Sequence, residues 1–206
     1  MKRSVLFSFF LLLASLFPPA FANATPQTIL VFGDSLSAGY GVPREKAWVT
    51  LLQQKLQRSH PQYRVFNASI SGETTVGGLQ RIGHTLRQHR PAILILELGA
   101  NDGLRGAAIS SIRRNLAAML RQARAAHCKV LLVGIQLPPN YGIHYTAQFK
   151  ALYPQLAQRY HTALVPFLLD GVAPEQFQAD NLHPNAEAQP TLLHNVLQKL
   201  EPILKK

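Results

Sequence analysis

Val31-Phe32-Gly33-Asp34-Ser35-Leu36-Ser37-Ala38-Gly39 joins an apolar run to a sharp polar turn that carries a serine. The run leading into it, Thr28-Ile29-Leu30-Val31-Phe32, is β-branched, aliphatic and aromatic, the composition of a covered strand. Gly33 ends that strand, with no Cβ to obstruct a turn. Ser35 then falls just past the strand's carboxyl end, where open α/β sheets place their ligands. A serine in that place is a nucleophile when a base reaches it. Without such a base, Asp34 and Ser35 merely cap the next turn.

The remainder of the chain alternates helical and strand patterns. Arg44 to Arg58 carries Trp48, Leu51, Leu52 and Leu56 at helical spacing, and Pro61 closes that helix. Tyr63 to Asn67 reads as a second strand, followed by a loop in which Gly72 permits a close backbone approach. A helix is expected from Thr74 or Thr75 to Pro91, with Val76, Leu79, Ile82 and Leu86 inward. Ala92 to Leu98 is a third strand whose continuous apolarity places it under cover on both faces, as in a parallel sheet. It ends in the turn Gly99-Ala100-Asn101-Asp102-Gly103. A helix from about Ala107 to Ala126, a strand from Lys129 to Ile135 and a two-proline loop from Gln136 to Ile143 come next. Tyr145 to Tyr160 is helical, with a kink or break expected at Pro154. Ala163 to Val165 is a last short strand, and Leu168 to Asn185 is irregular. The final helix cannot be clean before Pro190 and stops at Pro202. Five strands alternating with helices specify a parallel α/β sheet with right-handed crossovers. Every Gly/Asn/Asp/Ser loop then meets at one edge of it.

Several functional classes are excluded or disfavoured. Lys2 and Arg3, the apolar run Val5 to Phe17, the breakers Pro18 and Pro19, and Ala22-Asn23-Ala24 have the pattern of an export leader. Residues 1–24 are therefore assigned to a signal peptide and residues 25–206 to one domain. The apolar run is shorter than the roughly 20 residues of a spanning helix, and no stable membrane anchor is expected. The one cysteine, Cys128, allows no internal disulfide and reads as a buried thiol beside Val130 to Val133. Without Lys2 and Arg3 the formal charge of +11 becomes +9. The arginines are dispersed and not interleaved with aromatics, so no nucleic-acid partner is expected. The excess describes a solvated cationic surface, for which anionic lipid is a better partner than DNA.

Far along the chain, Asp180-Asn181-Leu182-His183-Pro184-Asn185 spaces a carboxylate three residues from an imidazole. One turn of chain can bring the two together, as a serine nucleophile's base requires. The alternative is an Asx turn with an exposed histidine. His60, His84, His89, His127, His144, His161 and His194 show no paired metal spacing beside a carboxylate, so neither a metal nor another cofactor is expected.

Gly33-Asp34-Ser35-Leu36-Ser37, Gly72, Gly99-Ala100-Asn101-Asp102 and Asp180-x-x-His183 resemble, in order, the four sequence blocks of the SGNH (GDSL) hydrolases. Ala38-Gly39-Tyr40-Gly41 and Leu96 to Gly106 are more closely similar to the exported bacterial acyl-CoA thioesterase/lysophospholipase/arylesterase branch. Ala100 departs from it, since those relatives usually carry glycine there. The resemblance implies a three-layer α/β/α, flavodoxin-like fold with a five-stranded, mainly parallel sheet. It assigns Ser35 as nucleophile, His183 as base and acid, and Asp180 as the group orienting it. An oxyanion would be held by the N–H of Ser35, the N–H of Gly72 and the amide of Asn101, while Asp34 and Asp102 hold loops. The implied substrate is a small-molecule ester or thioester of medium to long acyl chain, such as a lysophospholipid or acyl-CoA, cleaved by a periplasmic or secreted monomer. Leu104, Leu137, Tyr141, Ile143, Phe177 and Leu182 are expected to rim the site. A carbohydrate O-deacetylase of the same family, and an exported binding protein that keeps the fold alone, are the alternatives.

Overall fold

The computed structural model describes residues 26–204; the proposed leader lies outside them. The first strand, β1 (Gln27–Gly33), holds Ile29, Leu30, Val31 and Phe32 wholly buried, and runs into a one-turn helix, α1 (Ser35–Ala38). Next come α2 (Trp48–Ser59), β2 (Tyr63–Asn67), α3 (Thr75–His89), β3 (Ile93–Glu97), the short α4 (Ala100–Leu104) and α5 (Ile109–Ala125). The chain continues through β4 (Lys129–Val133), α6 (Ile143–Tyr160), β5 (Ala163–Val165) and α7 (Gln189–Leu200). The strands are ordered β2-β1-β3-β4-β5 and every pairing is parallel. On one side α2 packs on α7, and on the other α3 packs on α5 and α5 on α6, so helices cover both faces of the expected three-layer fold.

The order sets the position of the site. From β1 the chain first moves outward to β2 and then returns to the other flank for β3. The crevice between the carboxyl ends of β1 and β3 is thus the switch point at which parallel sheets bind ligands. Ser35 follows β1 there and Asn101 follows β3.

Four local expectations change. The helix over residues 44–58 is divided: Arg44–Lys46 form one 3₁₀ turn, Ala47 is extended, and α2 starts at Trp48. The break is held by Gln189, whose Oε1 accepts from the Trp48 backbone N–H at 3.0 Å, while the Trp48 indole donates to the Leu36 carbonyl at 3.1 Å. Val76 is exposed instead of inward, because the first turn of α3 stands beyond the strand ends and meets α4 through Thr75. α6 passes Pro154 unbroken. Pro154 and Lys150 are both exposed, so the carbonyl that proline leaves without a donor faces water, while Phe149, Leu152, Tyr153 and Leu156 keep the inner face packed. Finally, the turn after β3 is helical, as α4.

Candidate active site

Gly33 owes its place to crowding. A Cβ there would lie 2.6 Å from Glu97 Oε2 and 2.8 Å from the Glu97 carbonyl, contacts that side chains do not make. Its backbone is not left-handed, so the expected turn constraint is not what requires glycine. Asp34 then caps α1, its Oδ1 accepting from the Leu36 N–H at 3.0 Å. Ser35 is the first residue of α1, and its own N–H has no intrahelical acceptor.

The distant Asp180–His183 segment reaches this serine. His183 Nε2 lies 2.8 Å from Ser35 Oγ, and His183 Nδ1 lies 2.7 Å from Asp180 Oδ2. Asp180 Oδ1 also accepts the N–H groups of Leu182 and His183, each at 2.9 Å. Those bonds, the His183 N–H foremost, hold the Asp180 carboxyl down to about 2, so it is ionised at neutral pH. An ionised carboxylate on Nδ1 fixes that proton there and leaves Nε2 free to accept one from the serine. The loop is pinned by Gln178, a residue the sequence reading passed over. Its amide donates to the carbonyls of Tyr40 (2.8 Å) and Pro184 (3.1 Å), and its backbone N–H donates to the His183 carbonyl at 2.8 Å. The Tyr40 ring lies against the imidazole, with centroids 4.7 Å apart.

The three expected oxyanion donors converge less directly. Asn101 Nδ2 donates to the Glu73 carbonyl at 3.0 Å and to Asp34 Oδ2 at 3.3 Å, which places it between the residue before Ser35 and the residue after Gly72. Gly72 is left-handed (φ +79°) and an added Cβ would meet nothing within 4 Å. Backbone conformation, not close approach to another element, therefore calls for glycine. The Ile70 N–H donates to the Gly33 carbonyl at 3.0 Å and ties this loop to the end of β1. Arg81, expected on the solvated surface, braces the loop from below. It donates to Glu73 Oε2 (2.5 Å) and the Ala68 carbonyl (2.8 Å) and lies over the Phe32 ring at 3.8 Å. Asp102 holds a loop as expected, accepting from the Thr75 N–H (2.8 Å) and hydroxyl (2.6 Å).

Beneath the serine lies a second carboxylate that the motifs did not point to. Glu97, wholly buried in β3, accepts from the Ser37 hydroxyl at 2.7 Å and the Asp34 N–H at 3.3 Å. Burial pushes Asp34 up to about 6, and burial together with the neighbouring Asp34 charge lifts Glu97 well above the usual carboxylate range. Two carboxyls sharing one dry site cannot both ionise, so Glu97 is the one that keeps its proton. The signal was in the sequence: a single acidic residue inside the otherwise apolar run Ile93 to Leu98.

A cavity of about 420 Å³ opens beside Ser35, Asn101 and His183. Leu104, Leu137, Phe177 and Leu182 line it as expected, joined by Ile135, Pro138, Phe167 and Leu169; Tyr141 and Ile143 do not. Among the described residues no cluster of three or more His, Cys, Asp or Glu side chains is arranged to hold a metal ion.

A serine in reach of a carboxylate-oriented imidazole, set at the switch point of a parallel sheet, is the arrangement of hydrolases that work by a nucleophilic hydroxyl. The model of the GDSL-like lipase/acylhydrolase family matches residues 31–189, and the chain belongs to that family. It is 50% identical over 184 residues to Esterase TesA of Pseudomonas aeruginosa, covering 88% of this chain and 92% of that one. It is 41% identical over 186 residues to Thioesterase 1/protease 1/lysophospholipase L1 of Escherichia coli K12, covering 89% and 88%. The crystal structure of the psychrotrophic esterase EstA from a Pseudoalteromonas species, inhibited by monoethylphosphonate, superposes with a TM-score of 0.82 at 37% identity. That match covers 87% of this chain and all of the other.

Proposed function

We propose that this protein hydrolyses carboxylic esters and thioesters of medium to long acyl chain through an acyl-enzyme on Ser35. The observation that carries the reading is the unbroken line Asp180–His183–Ser35 at the mouth of an apolar cavity. His183 Nε2 takes the hydroxyl proton as Ser35 Oγ bonds to the acyl carbon. The negative charge passes to the carbonyl oxygen, within reach of the N–H groups of Ser35 and Gly72 and the Asn101 amide. Collapse expels the alcohol or thiol with the proton returned by His183, and water repeats the sequence to release the acid. Donors aimed at the developing charge are worth about 3–4 kcal/mol each.

The names of the relatives, an esterase and a thioesterase/lysophospholipase, support this class. The cavity supports the chain length, since each methylene buried there contributes about 0.8 kcal/mol. The first twenty-four residues support an exported, periplasmic location with that segment removed, and we read the mature chain as a monomer. Among the described residues no helix is long and apolar enough to cross a membrane. The test is kcat/KM for 4-nitrophenyl esters from acetate to palmitate, and then for the matching acyl-CoAs. A maximum at eight carbons or beyond is expected. A maximum at acetate with steady decline would favour a deacetylase, and no turnover of any ester would favour a binding protein.

A further inference from the structure

The edge of the sheet that carries the site exposes more apolar surface than the cavity uses. Tyr40, Ile70, Val76, Ile143 and Leu182 are large apolar side chains left in solvent. All five stand on segments leaving strand carboxyl ends: Tyr40 after β1, Ile70 and Val76 after β2, Ile143 after β4, and Leu182 beside His183. Ile143 is 82% exposed and Val76 54%, and neither lines the cavity. The one other large apolar residue so exposed among the described residues, Phe66, is stacked on His89 at 3.8 Å. Single exposed apolar residues are ordinary, but their gathering on one edge marks an interaction face.

Charge on the same loops says what that face meets. Arg44 and Lys46 follow β1 and Arg105 follows α4; all three are exposed. None is in an ion pair, since the pairs among the described residues are Arg81–Glu73 and His183–Asp180. Glu45 is the exposed carboxylate beside Arg44 and Lys46, and Asp170, Glu175 and Asp180, on the connection from β5 to α7, are exposed as well. Without Lys2 and Arg3 of the proposed leader the chain is still strongly cationic, at +9 from the full +11. Apolar side chains flanked by unpaired cations match a layer of acyl chains beneath anionic head groups.

We propose that this edge docks on an anionic phospholipid surface. The five apolar side chains enter the head-group boundary, the three cations meet lipid phosphates, and an acyl chain passes from the lipid layer into the cavity without crossing bulk water. The purpose of the docking rests on the acyl-hydrolase reading, but the binding itself needs no turnover, so either can fail alone.

The test is co-sedimentation of the purified protein with vesicles of phosphatidylcholine alone and of phosphatidylcholine with one-third phosphatidylglycerol. Binding to the anionic vesicles is expected to be at least tenfold tighter and to weaken with salt. Ile143→Asp and Val76→Asp should each lower it fivefold or more while leaving kcat/KM for a water-soluble butyrate ester unchanged. Both positions lie in the first turn of a helix, where an acidic residue is favourable, so the variants should fold. Arg105→Glu should lower binding several times more than Arg124→Glu, the same charge change near the end of α5 that leads to the amino end of β4. Absent or equal binding to the two vesicles would overturn the proposal. So would equal losses for the two arginine variants, which would mean net charge without a docking face. Self-association abolished by the apolar variants, with no vesicle binding, would assign the edge to a second copy of the chain and overturn it too.

Discussion

Glu97 and Asp180 are two carboxyls of one site driven in opposite directions by their surroundings. Burial raises Glu97 and Asp34, so the folded chain holds those protons more tightly than the unfolded one. Their contribution to stability is therefore largest in acid, and falls as pH rises from about 4 through about 6 and, for Glu97, beyond. Glu97→Gln keeps an oxygen for Ser37 and the Asp34 N–H while removing the ionisable group. Thermal melts across pH 4–8 should show a shallower decline for the variant, and an unchanged slope would contradict the assignment. Asp180 has the reverse sign, with any contribution present above about 4 and lost as pH falls toward about 2. On the proposed mechanism Asn101→Ala should lower turnover by about 10²–10³-fold. His183→Ala should lower it by about 10⁴–10⁶-fold, with Asp180→Asn costing somewhat less. Steady-state kinetics on one chromogenic ester reads all three.

At the scale of elements, the site depends on a strap. Gln178 ties the loop carrying Asp180 and His183 to the segment following α1 through bonds to Tyr40 and Pro184. Gln178→Ala should lower kcat by about ten- to a hundredfold through misplacement of the imidazole. Its melting temperature should fall only a few degrees, since a hydrogen bond nets about 1 kcal/mol. Equal loss of both would make Gln178 a purely structural residue. The sequence could not point to this strap, because a glutamine in an irregular loop carries no periodicity, and its acceptors are backbone carbonyls. The strands were legible for the opposite reason: Ile29 to Phe32 and Ile93 to Leu96 are continuous apolar runs that only a sheet covered on both faces accommodates. Ser35, Asp180 and His183 were legible as chemistry-bearing types at turns, and the proposed oxyanion positions only through the resemblance of Gly72 and Asn101 to family blocks. Val76 was misplaced because helical spacing gives the face of a residue but not whether a strand lies beneath it.

Across the whole molecule, a parallel sheet with one switch point gathers residues 35, 101 and 183 into one crevice beside an apolar cavity. Leu104 on α4 and Leu137 after β4 form part of that cavity from separate segments. Leu137→Ala should lower kcat/KM for a long-chain ester by about tenfold or more relative to the acetate ester, as buried methylenes lose contact. An equal loss for both chain lengths would move the acyl chain elsewhere. The central claim is that Ser35 Oγ forms the covalent bond. A 4-nitrophenyl alkylphosphonate ester tests it, because attack on phosphorus joins Oγ to the phosphonyl group and expels nitrophenolate. Mass spectrometry should find one adduct per chain, on Ser35, in step with loss of esterase activity, and none in Ser35→Ala. An adduct on another residue, or esterase activity retained by Ser35→Ala, would contradict the account.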